Sequence, residues 1–264
     1  MKITEIIDNE LPKSEPLIKT HLQPFWLAVF NYAFTKMVKK GFYSLKIKNA
    51  ENYNLRDPNK SNIIYANHCC WWDGIIGYLL CNKIFKTNMH MMIEELRRFP
   101  LLSKIGAFSV EKDSPQSAVK ALNYSLEVLE NPENSLWIFP QGSVNPPDYR
   151  PIKFASGISY LYKKSNGVNL IPIAHRYNFI REDRPEIFIE IGKPVILDGD
   201  LPENINRKKF TQFLEDNFTN LLDKQRENIC QGNMEGYELF FQSRLCLAKL
   251  IEKHFTWFVR TFNA

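Results

Sequence analysis

The sequence predicts an α/β fold in which a central, mostly parallel or mixed sheet is flanked by helices, with amphipathic helices near both ends of the chain. Two observations lead to this prediction. Short apolar runs of the kind found in buried strands alternate along the chain with longer segments of helical periodicity. The chain has 264 residues, of which 44% are hydrophobic, and this is enough to bury a substantial core.

Local patterns place the individual elements. The apolar run between Asn62 and Asn67 predicts a strand, and Asp73 is a favourable N-cap for the helix that follows it. Ser114 and Pro115 suit the N-cap and first position of a later helix. Strands are predicted at residues 43–48, 62–66, 90–93, 107–110, 136–139, 170–174 and 187–191.

Helices are predicted between the strands and after the last of them. The one that starts at Pro115 should carry its apolar face on Val119, Leu122, Leu126 and Leu129. Predicted helices cover residues 73–85, 115–130, 157–164, 203–226 and 236–262, with a short helix or turn at 96–104. The chain therefore divides into an N-terminal amphipathic helical segment (1–42), an α/β core (43–200) and a C-terminal helical region (201–264).

The segment from His21 to Thr35 carries no formal charge and is rich in aromatic residues, and Lys36, Lys39 and Lys40 follow it directly. Its 15 residues fall short of the ~20 needed to span a bilayer. A helix in the membrane interface and an ordinary packing helix fit this pattern about equally. For the apolar helix predicted at 236–262, the same two alternatives are docking on the domain and lying on the bilayer.

Charge and cysteine content narrow the class of protein. The net charge of +5 suits an anionic membrane surface or a phosphate-bearing substrate, but no Lys/Arg-rich arm indicates nucleic acid. The five cysteines are odd in number and lack the spacing of a disulfide framework or a zinc site. No secretory signal is seen in the charged first 15 residues, so a cytoplasmic location is expected.

The loop between the strand at 62–66 and the next helix carries His68, with Asp73 five residues later. A short turn can bring the two side chains together. A carboxylate bonded to one ring N–H leaves the other nitrogen free to accept a proton and stabilises the imidazolium that forms. His68 and Asp73 are therefore candidate catalytic residues, although a surface histidine beside a helix cap would give the same motif.

Two more groups follow predicted strands. Lys112 comes after the strand that begins beyond Gly106, and Gln141-Gly142-Ser143 comes after the strand at 136–139. Ligands of α/β sheets bind at the carboxyl ends of strands, so these residues and His68 are expected at one rim. A cation there suits an anionic substrate, and the Gly142 turn can present backbone N–H groups to a phosphate or an oxyanion.

With the proline-containing strand at 170–174, these segments form four blocks in order: Asn67-His68-x-x-x-x-Asp73, Gly106 to Lys112, Phe139-Pro140-Gln141-Gly142-Ser143 and Leu170-Ile171-Pro172-Ile173-Ala174. Between residues 62 and 194 the chain resembles the glycerolipid acyltransferase superfamily, in particular its lysophosphatidic acid and lysophospholipid acyltransferases. The H-x4-D motif is intact.

The resemblance implies transfer of a fatty acyl group from acyl-CoA or acyl carrier protein to a hydroxyl of a lysophospholipid-like (1-acylglycerol-3-phosphate) acceptor. His68 would be the general base, Asp73 would orient it, and Lys112, Gln141, Gly142 and Ser143 would bind substrate. It also implies a peripheral protein on the cytoplasmic face of the membrane. No metal, resident cofactor or acyl-enzyme is implied. Trp71 and Trp72 could wall the acyl channel, or pack in the core.

Three positions depart from the family pattern: Lys112 stands for the usual Arg, Gln141 for Glu, and Val144 for the Arg that often follows. These changes remove a carboxylate and the forked phosphate-binding group. Arg150 or Lys153 could supply a replacement cation. Two alternatives therefore stay open, namely the same chemistry on a glycolipid or amino-acid-headed lipid, and a non-catalytic lipid-binding protein.

Two further hypotheses start from the cysteines of the same loop. Cys69 or Cys70 could be the nucleophile of a hydrolase, although no cysteine-centred motif supports this. Zinc could be held by His68, Cys69, Cys70 and Asp73, but adjacent ligands are geometrically awkward and the usual spacers are missing.

Overall fold

One mixed eight-stranded sheet organises the part of the chain that the structure describes, which is residues 15–111, 114–195, 206–243 and residue 251 of a computed structural model. Its order is β4-β3-β5-β2-β6-β7-β1-β8. The strands are β1 (Ser44–Lys48), β2 (Asn62–Ala66), β3 (Asn88–Ile93), β4 (Ala107–Ser109), β5 (Asn134–Ile138), β6 (Asn169–Asn178), β7 (Glu186–Ile191) and β8 (Tyr237–Gln242).

Most neighbouring strands run parallel. The β4-β3-β5-β2-β6 half is parallel throughout, as is the pairing of β1 with β7, whereas β6 with β7 and β1 with β8 are antiparallel. The predicted α/β class with a mostly parallel or mixed sheet is therefore confirmed. The parallel arrangement brings the carboxyl ends of β2 and β5 to the same edge of the sheet.

Helices cover both faces of the sheet and form two cores with it. Side chains of α1 and α2 pack on one face, and those of α3, α4 and α5 pack on the other. The helices are α1 (Pro24–Gly41), α2 (Trp72–Leu80), which continues as a π turn at Cys81–Phe85, α3 (Pro115–Val128), α4 (Gly157–Lys164) and α5 (Arg207–Cys230), with 3₁₀ helices at Ala50–Leu55 and Pro100–Ile105.

The strands and helices predicted between residues 43 and 191 are all present, with ends shifted by a few residues. Ser114 is the N-cap of α3, and its hydroxyl accepts a hydrogen bond from the N–H of Ser117 at 3.1 Å. The apolar face predicted for α3 is partly wrong, because Val119 is exposed. Small side chains at Ser117, Ala121 and Ser125 face the interior instead, which lets the helix lie close to its neighbours.

The predicted helix at 236–262 is wrong at its beginning. Residues Tyr237–Gln242 form β8, which pairs antiparallel with β1 at the edge of the sheet. Backbone groups of β1 would otherwise lack partners on that side, and this long-range pairing outweighs the local helical pattern. Residues 244–250 and 252–264 lie outside the described residues. No helix among the described parts of the chain is long and apolar enough to cross a membrane.

Gly106 joins the 3₁₀ helix at Pro100–Ile105 to β4. Its φ is +109°, a backbone conformation that other residues rarely adopt. A Cβ at this position would overlap the carbonyl oxygen of Met89. We expect Gly106→Ala to lower the free energy of unfolding by about 3 kcal/mol or more, measured by urea denaturation.

Gly232→Ala is the matched control for this change. Gly232 also has a positive φ, of +70°, but open space lies where its Cβ would stand. The control should cost about 1 kcal/mol, since only backbone strain is added. Equal losses for the two variants would contradict the steric explanation.

Candidate active site

The loop between β2 and α2 places His68 against Asp73. The Nδ1 atom of His68 lies 2.9 Å from Oδ2 of Asp73. The Asp73 side chain is completely buried, whereas 26% of the His68 side chain is exposed. The predicted meeting of these two residues is therefore found in the structure, with the imidazole at the surface of the site and the carboxylate beneath it.

Asp73 also organises the loop itself. Its Oδ2 atom accepts hydrogen bonds from the backbone N–H groups of Cys69 and Cys70, at 2.5 and 2.8 Å. Helix α2 begins at Trp72, so Asp73 lies in the first turn and is not the N-cap that the sequence predicts. Its carboxylate accepts hydrogen bonds from N–H groups of the preceding loop. The backbone that carries His68 therefore folds around this one buried carboxylate.

The pKa of Asp73 reflects these contacts. Burial alone raises it, but His175, His68 and the N–H of Cys70 together outweigh burial and hold the pKa well below the ordinary value of 3.8. The carboxylate is thus ionised at neutral pH and can stabilise a positive charge on His68.

Adjacent strand ends bring the third block to His68, as predicted. Strands β2 and β5 are parallel neighbours, and the loop after β5 folds over the loop after β2. The backbone N–H of His68 donates to Oε1 of Gln141 at 2.9 Å, and the N–H of Asn145 donates to the carbonyl of His68 at 2.8 Å. The ring of Phe139 stacks on the imidazole, with centroids 4.3 Å apart.

The side chains and backbone groups of the third block make several contacts within the loop. Gly142 has a φ of +66°, but its own N–H donates to the carbonyl of Phe139 at 3.1 Å and is therefore committed to the turn. The side-chain oxygen of Gln141 holds the His68 backbone. The Ser143 hydroxyl accepts a hydrogen bond from Asn145. Lys112, the cation predicted at this rim, lies outside the described residues.

Both candidate replacement cations have acidic partners on α5. Arg150 donates to Asp223 at 2.5 Å, and Lys153 lies 3.3 Å from Glu215. A buried arginine that the sequence analysis did not consider, Arg176, is similarly held by the carboxylate of Asp148.

An apolar cleft of about 590 Å³ opens beside His68. Helices α1 and α2, strand β3 and the segment from Phe99 to Ala107 form most of its walls, and His68, Phe139 and Val144 also line it. Trp71 lines this cleft and Trp72 does not. The Trp72 ring packs edge-on against Phe42, with the ring centroids 5.0 Å apart. Trp71 thus lies where a wall of an acyl channel is expected, and Trp72 packs against the core.

Three residues of the site carry no role in the sequence analysis. Asn67 bonds through its side chain to both backbone groups of His175, and Tyr177 donates its hydroxyl to Oδ1 of Asp73 at 2.6 Å. His175 Nδ1 lies 3.5 Å from the same oxygen. The i, i+2 spacing of His175 and Tyr177 would have indicated one face of a strand, but the predicted strand ends at residue 174.

The environment of the two cysteines does not favour a nucleophilic thiolate. Burial, with the charge of Asp73, raises the pKa of Cys70 to about 11 and that of Cys69 further. We expect Cys69→Ser and Cys70→Ser to keep catalytic activity within about threefold of the wild type. A loss of two orders of magnitude in either variant, in a protein that still unfolds cooperatively, would favour the cysteine hydrolase.

Within the described residues, no group of three or more His, Cys, Asp or Glu side chains is arranged to hold a metal ion. The carboxylate of Asp73 is turned toward backbone N–H groups, Tyr177 and the two histidines.

A family model described as Acyltransferase matches residues 44–176, about half of the chain, and the chain belongs to this family. Among individual proteins, the 1-acyl-sn-glycerol-3-phosphate acyltransferase of Streptococcus pneumoniae is 28% identical over 134 residues, which are 48% of this chain and 47% of that protein. The chain thus spans about half the length of this curated relative.

The fold is similar to that of the 1-acyl-sn-glycerophosphate (LPA) acyltransferase PlsC from Thermotoga maritima, known from a crystal structure. The TM-score is 0.51 at 17% sequence identity, and the match covers 75% of this chain and 79% of that one. This likeness supports the α/β architecture described above. At this identity the likeness concerns the fold, so the chemistry must be argued from the geometry of the site in this chain.

Proposed function

We propose that this protein transfers a fatty acyl group from an acyl thioester, acyl-CoA or acyl carrier protein, to a hydroxyl of a lysophospholipid-like acceptor. One observation carries the proposal: His68, which Asp73 holds by a hydrogen bond, lines an apolar cleft. An imidazole held at one ring nitrogen by a carboxylate can act as a general base through the other, and an apolar cleft suits a hydrocarbon chain. The acyl donor is a co-substrate, and no resident cofactor takes part.

The reaction is a direct transfer in which every atom has a destination. Asp73 holds Nδ1 of His68, so Nε2 accepts the proton of the acceptor hydroxyl. The hydroxyl oxygen attacks the thioester carbonyl, a C–O bond forms, and the C–S bond breaks. The imidazolium then returns its proton to the departing sulfur. The products are an ester and a free thiol, with no covalent acyl-enzyme.

The tetrahedral intermediate requires hydrogen-bond donors for its oxyanion. The N–H of Gly142 is committed to the turn, and that of Asn145 to the carbonyl of His68. Between them, the N–H groups of Ser143 and Val144 have no hydrogen-bond partner among the described residues, and Val144 borders the cleft with His68. We assign the oxyanion to these two groups.

The acceptor can belong to either of two classes. A glycerol phosphate acceptor is favoured by the similarity to the 1-acyl-sn-glycerol-3-phosphate acyltransferase of Streptococcus pneumoniae. A non-phosphate acceptor, such as a glycolipid or an amino-acid-headed lipid, is favoured by a specific observation. Arg150 and Lys153 already pair with acidic residues of α5, and Glu94 and Glu95 line the cleft.

The outer face of α1 supports a place on a membrane surface. The helix packs inward, where Phe34 meets Tyr78 edge-on at 5.4 Å and the Tyr78 hydroxyl donates to the carbonyl of Leu27. Its outer face still presents Phe25 and Tyr32, which are 69% and 71% exposed. We therefore propose that the protein is peripheral, on the cytoplasmic face, with α1 in the interface.

Replacing both Phe25 and Tyr32 by Glu should weaken binding to vesicles of phosphatidylglycerol and phosphatidylcholine by about tenfold or more, measured by cosedimentation. Two apolar side chains leave the interface and two negative charges face an anionic surface. The matched control is Leu239→Glu with Phe240→Glu, an exposed apolar pair on β8. If the control pair reduces binding as much as the α1 pair, α1 is not the membrane-binding element.

The acceptor assay tests the proposed function. Wild-type protein is given palmitoyl-CoA with 1-acylglycerol-3-phosphate, other lysophospholipids, a hydroxylated glycolipid or an amino-acid-headed lysolipid, and released thiol is measured. Acceptor-dependent release establishes the acyltransferase and shows which class of acceptor it uses. The assay is then repeated with acyl carrier protein as donor. If no acceptor-dependent thiol release is found with either donor, the result favours the non-catalytic lipid-binding protein.

A further inference from the structure

The two carboxylate oxygens of Asp73 have different partners. Oδ2 faces the His68 loop and accepts from His68, Cys69 and Cys70. Oδ1 points to β6, where the hydroxyl of Tyr177 donates at 2.6 Å. Two other groups lie further from Oδ1: His175 Nδ1 at 3.5 Å and the Cys70 thiol, which points to it at 3.8 Å. Only the Tyr177 contact has the length of a strong hydrogen bond.

A rigid connection between β2 and β6 holds Tyr177 at this oxygen. The N–H of His175 donates to Oδ1 of Asn67 at 2.8 Å, and Nδ2 of Asn67 donates to the carbonyl of His175 at 2.9 Å. Side chains two residues apart lie on the same face of a strand, so Tyr177 projects on the same side as His175. The residue before His68 therefore ties the His68 loop to the strand that carries Tyr177.

Tyr177 keeps its proton at neutral pH and is therefore a hydrogen-bond donor there. Burial, followed by the negative charge of Asp73, raises the pKa of Tyr177 well above the ordinary value of 10.0. The phenol thus keeps its proton beside the carboxylate. Without that donor, a buried charged oxygen would have only distant partners, and the carboxylate could rotate away from His68.

We propose that Tyr177 is a positioning residue of this site, whose hydroxyl holds the Asp73 carboxylate in the orientation that bonds Nδ1 of His68. The inference deepens the proposed function and rests on it for its kinetic consequences. The sequence motif His68-x-x-x-x-Asp73 contains two members of the arrangement, and Tyr177 is a third member, supplied by a strand 104 residues further along the chain.

Tyr177→Phe removes the hydroxyl and keeps the ring. We expect kcat to fall about 10- to 100-fold, as for the loss of one hydrogen bond to a charged group. The KM for the acyl donor should stay within about twofold, since Tyr177 is not among the described residues that line the cleft. Placing 3-fluorotyrosine at position 177 restores the hydroxyl and should restore kcat.

Tyr65→Phe is the matched control. Tyr65 is fully buried in the other core, beside Phe154 and Phe218, and its hydroxyl has no hydrogen-bond partner among the described residues. Its kcat should equal that of the wild type. If Tyr177→Phe also matches the wild type, or if it raises KM with kcat unchanged, the positioning role is wrong.

A spectroscopic measurement separates this inference from the proposed function, because it requires no substrate. In protein labelled with ¹⁵N-histidine, the His68 shifts should report a proton on Nδ1, and in Tyr177→Phe they should move toward a mixture of tautomers. Unchanged His68 shifts would overturn the inference even if the enzyme proved active. If the Phe variant does not fold, the ¹³Cζ resonance of Tyr177 can be compared between the wild type and Asp73→Asn, and an unmoved resonance would likewise overturn it.

Discussion

His68→Ala should lower kcat for acyl transfer by about 10³- to 10⁴-fold, with the KM for the acyl donor changed by no more than about twofold. The substitution removes the proposed acceptor of the hydroxyl proton and leaves the apolar cleft, proposed to bind the acyl chain, almost intact. Initial rates of thiol release at several concentrations of palmitoyl-CoA give both constants.

His21→Ala is the control for this change. His21 is exposed on the segment that precedes α1, and among the described residues its one hydrogen bond runs from its backbone N–H to the carbonyl of Ser103. The control variant should have wild-type kinetics. A His68→Ala variant that retained a tenth of the wild-type kcat or more would show that the proton goes elsewhere, and the mechanism would have to be abandoned.

Asp73→Asn should have an effect almost as large, about 10³-fold or more on kcat. An amide cannot stabilise the imidazolium, and its NH₂ group must face either the donors on the His68 side or the hydroxyl of Tyr177. For the same reason the free energy of unfolding should fall by about 2 kcal/mol or more. Kinetics and urea denaturation at neutral pH measure the two losses.

The pH dependence of stability checks the charge on Asp73 independently of catalysis. Because its pKa in the folded protein is held below the ordinary 3.8, the ionised carboxylate stabilises the fold above that pH and loses this contribution as the pH falls through the folded value. The difference in urea midpoint between wild type and Asp73→Asn should therefore stay constant from about pH 6 to about pH 4 and shrink as the pH falls from about 4 to about 2. A difference that stays constant below about pH 4 would contradict the depressed pKa.

The parts of the fold that depend on local pattern could be predicted from the sequence. Strand β2 is bounded by Asn62 and Asn67, and α3 begins at the sequence Ser114-Pro115, which has the required cap and first residue. His68 and Asp73 are five residues apart, so a single short turn brings them together. Each of these features is encoded within a few residues.

Features that depend on distant contacts could not be predicted in the same way. Tyr177 reaches Asp73 only because β6 lies beside β2 in the sheet. The strand β8 forms because β1 has an open edge, which is a property of the assembled sheet. Gln141 lies after β5, as the sequence predicts, but its contact could not be predicted. Its side-chain oxygen accepts a hydrogen bond from the backbone N–H of His68.

The substrate roles predicted from the resemblance illustrate the same limit. Arg150 and Lys153 were reasonable candidates for a cation at the rim, but α5 supplies Asp223 and Glu215 to them from a distant part of the chain. Whether a cationic group serves the acceptor cannot be read from charge spacing alone, because ion pairing depends on which helix covers that end of the sheet.

The most direct test of the central claim is the amount of acylated acceptor formed by wild-type protein and by His68→Ala, measured by mass spectrometry of the lipid product beside the thiol released. The proposed mechanism predicts one ester formed for each thiol released in the wild type, no acyl group on the protein, and almost no product with His68→Ala. Thiol release without ester, or equal ester formation by the two proteins, would contradict it.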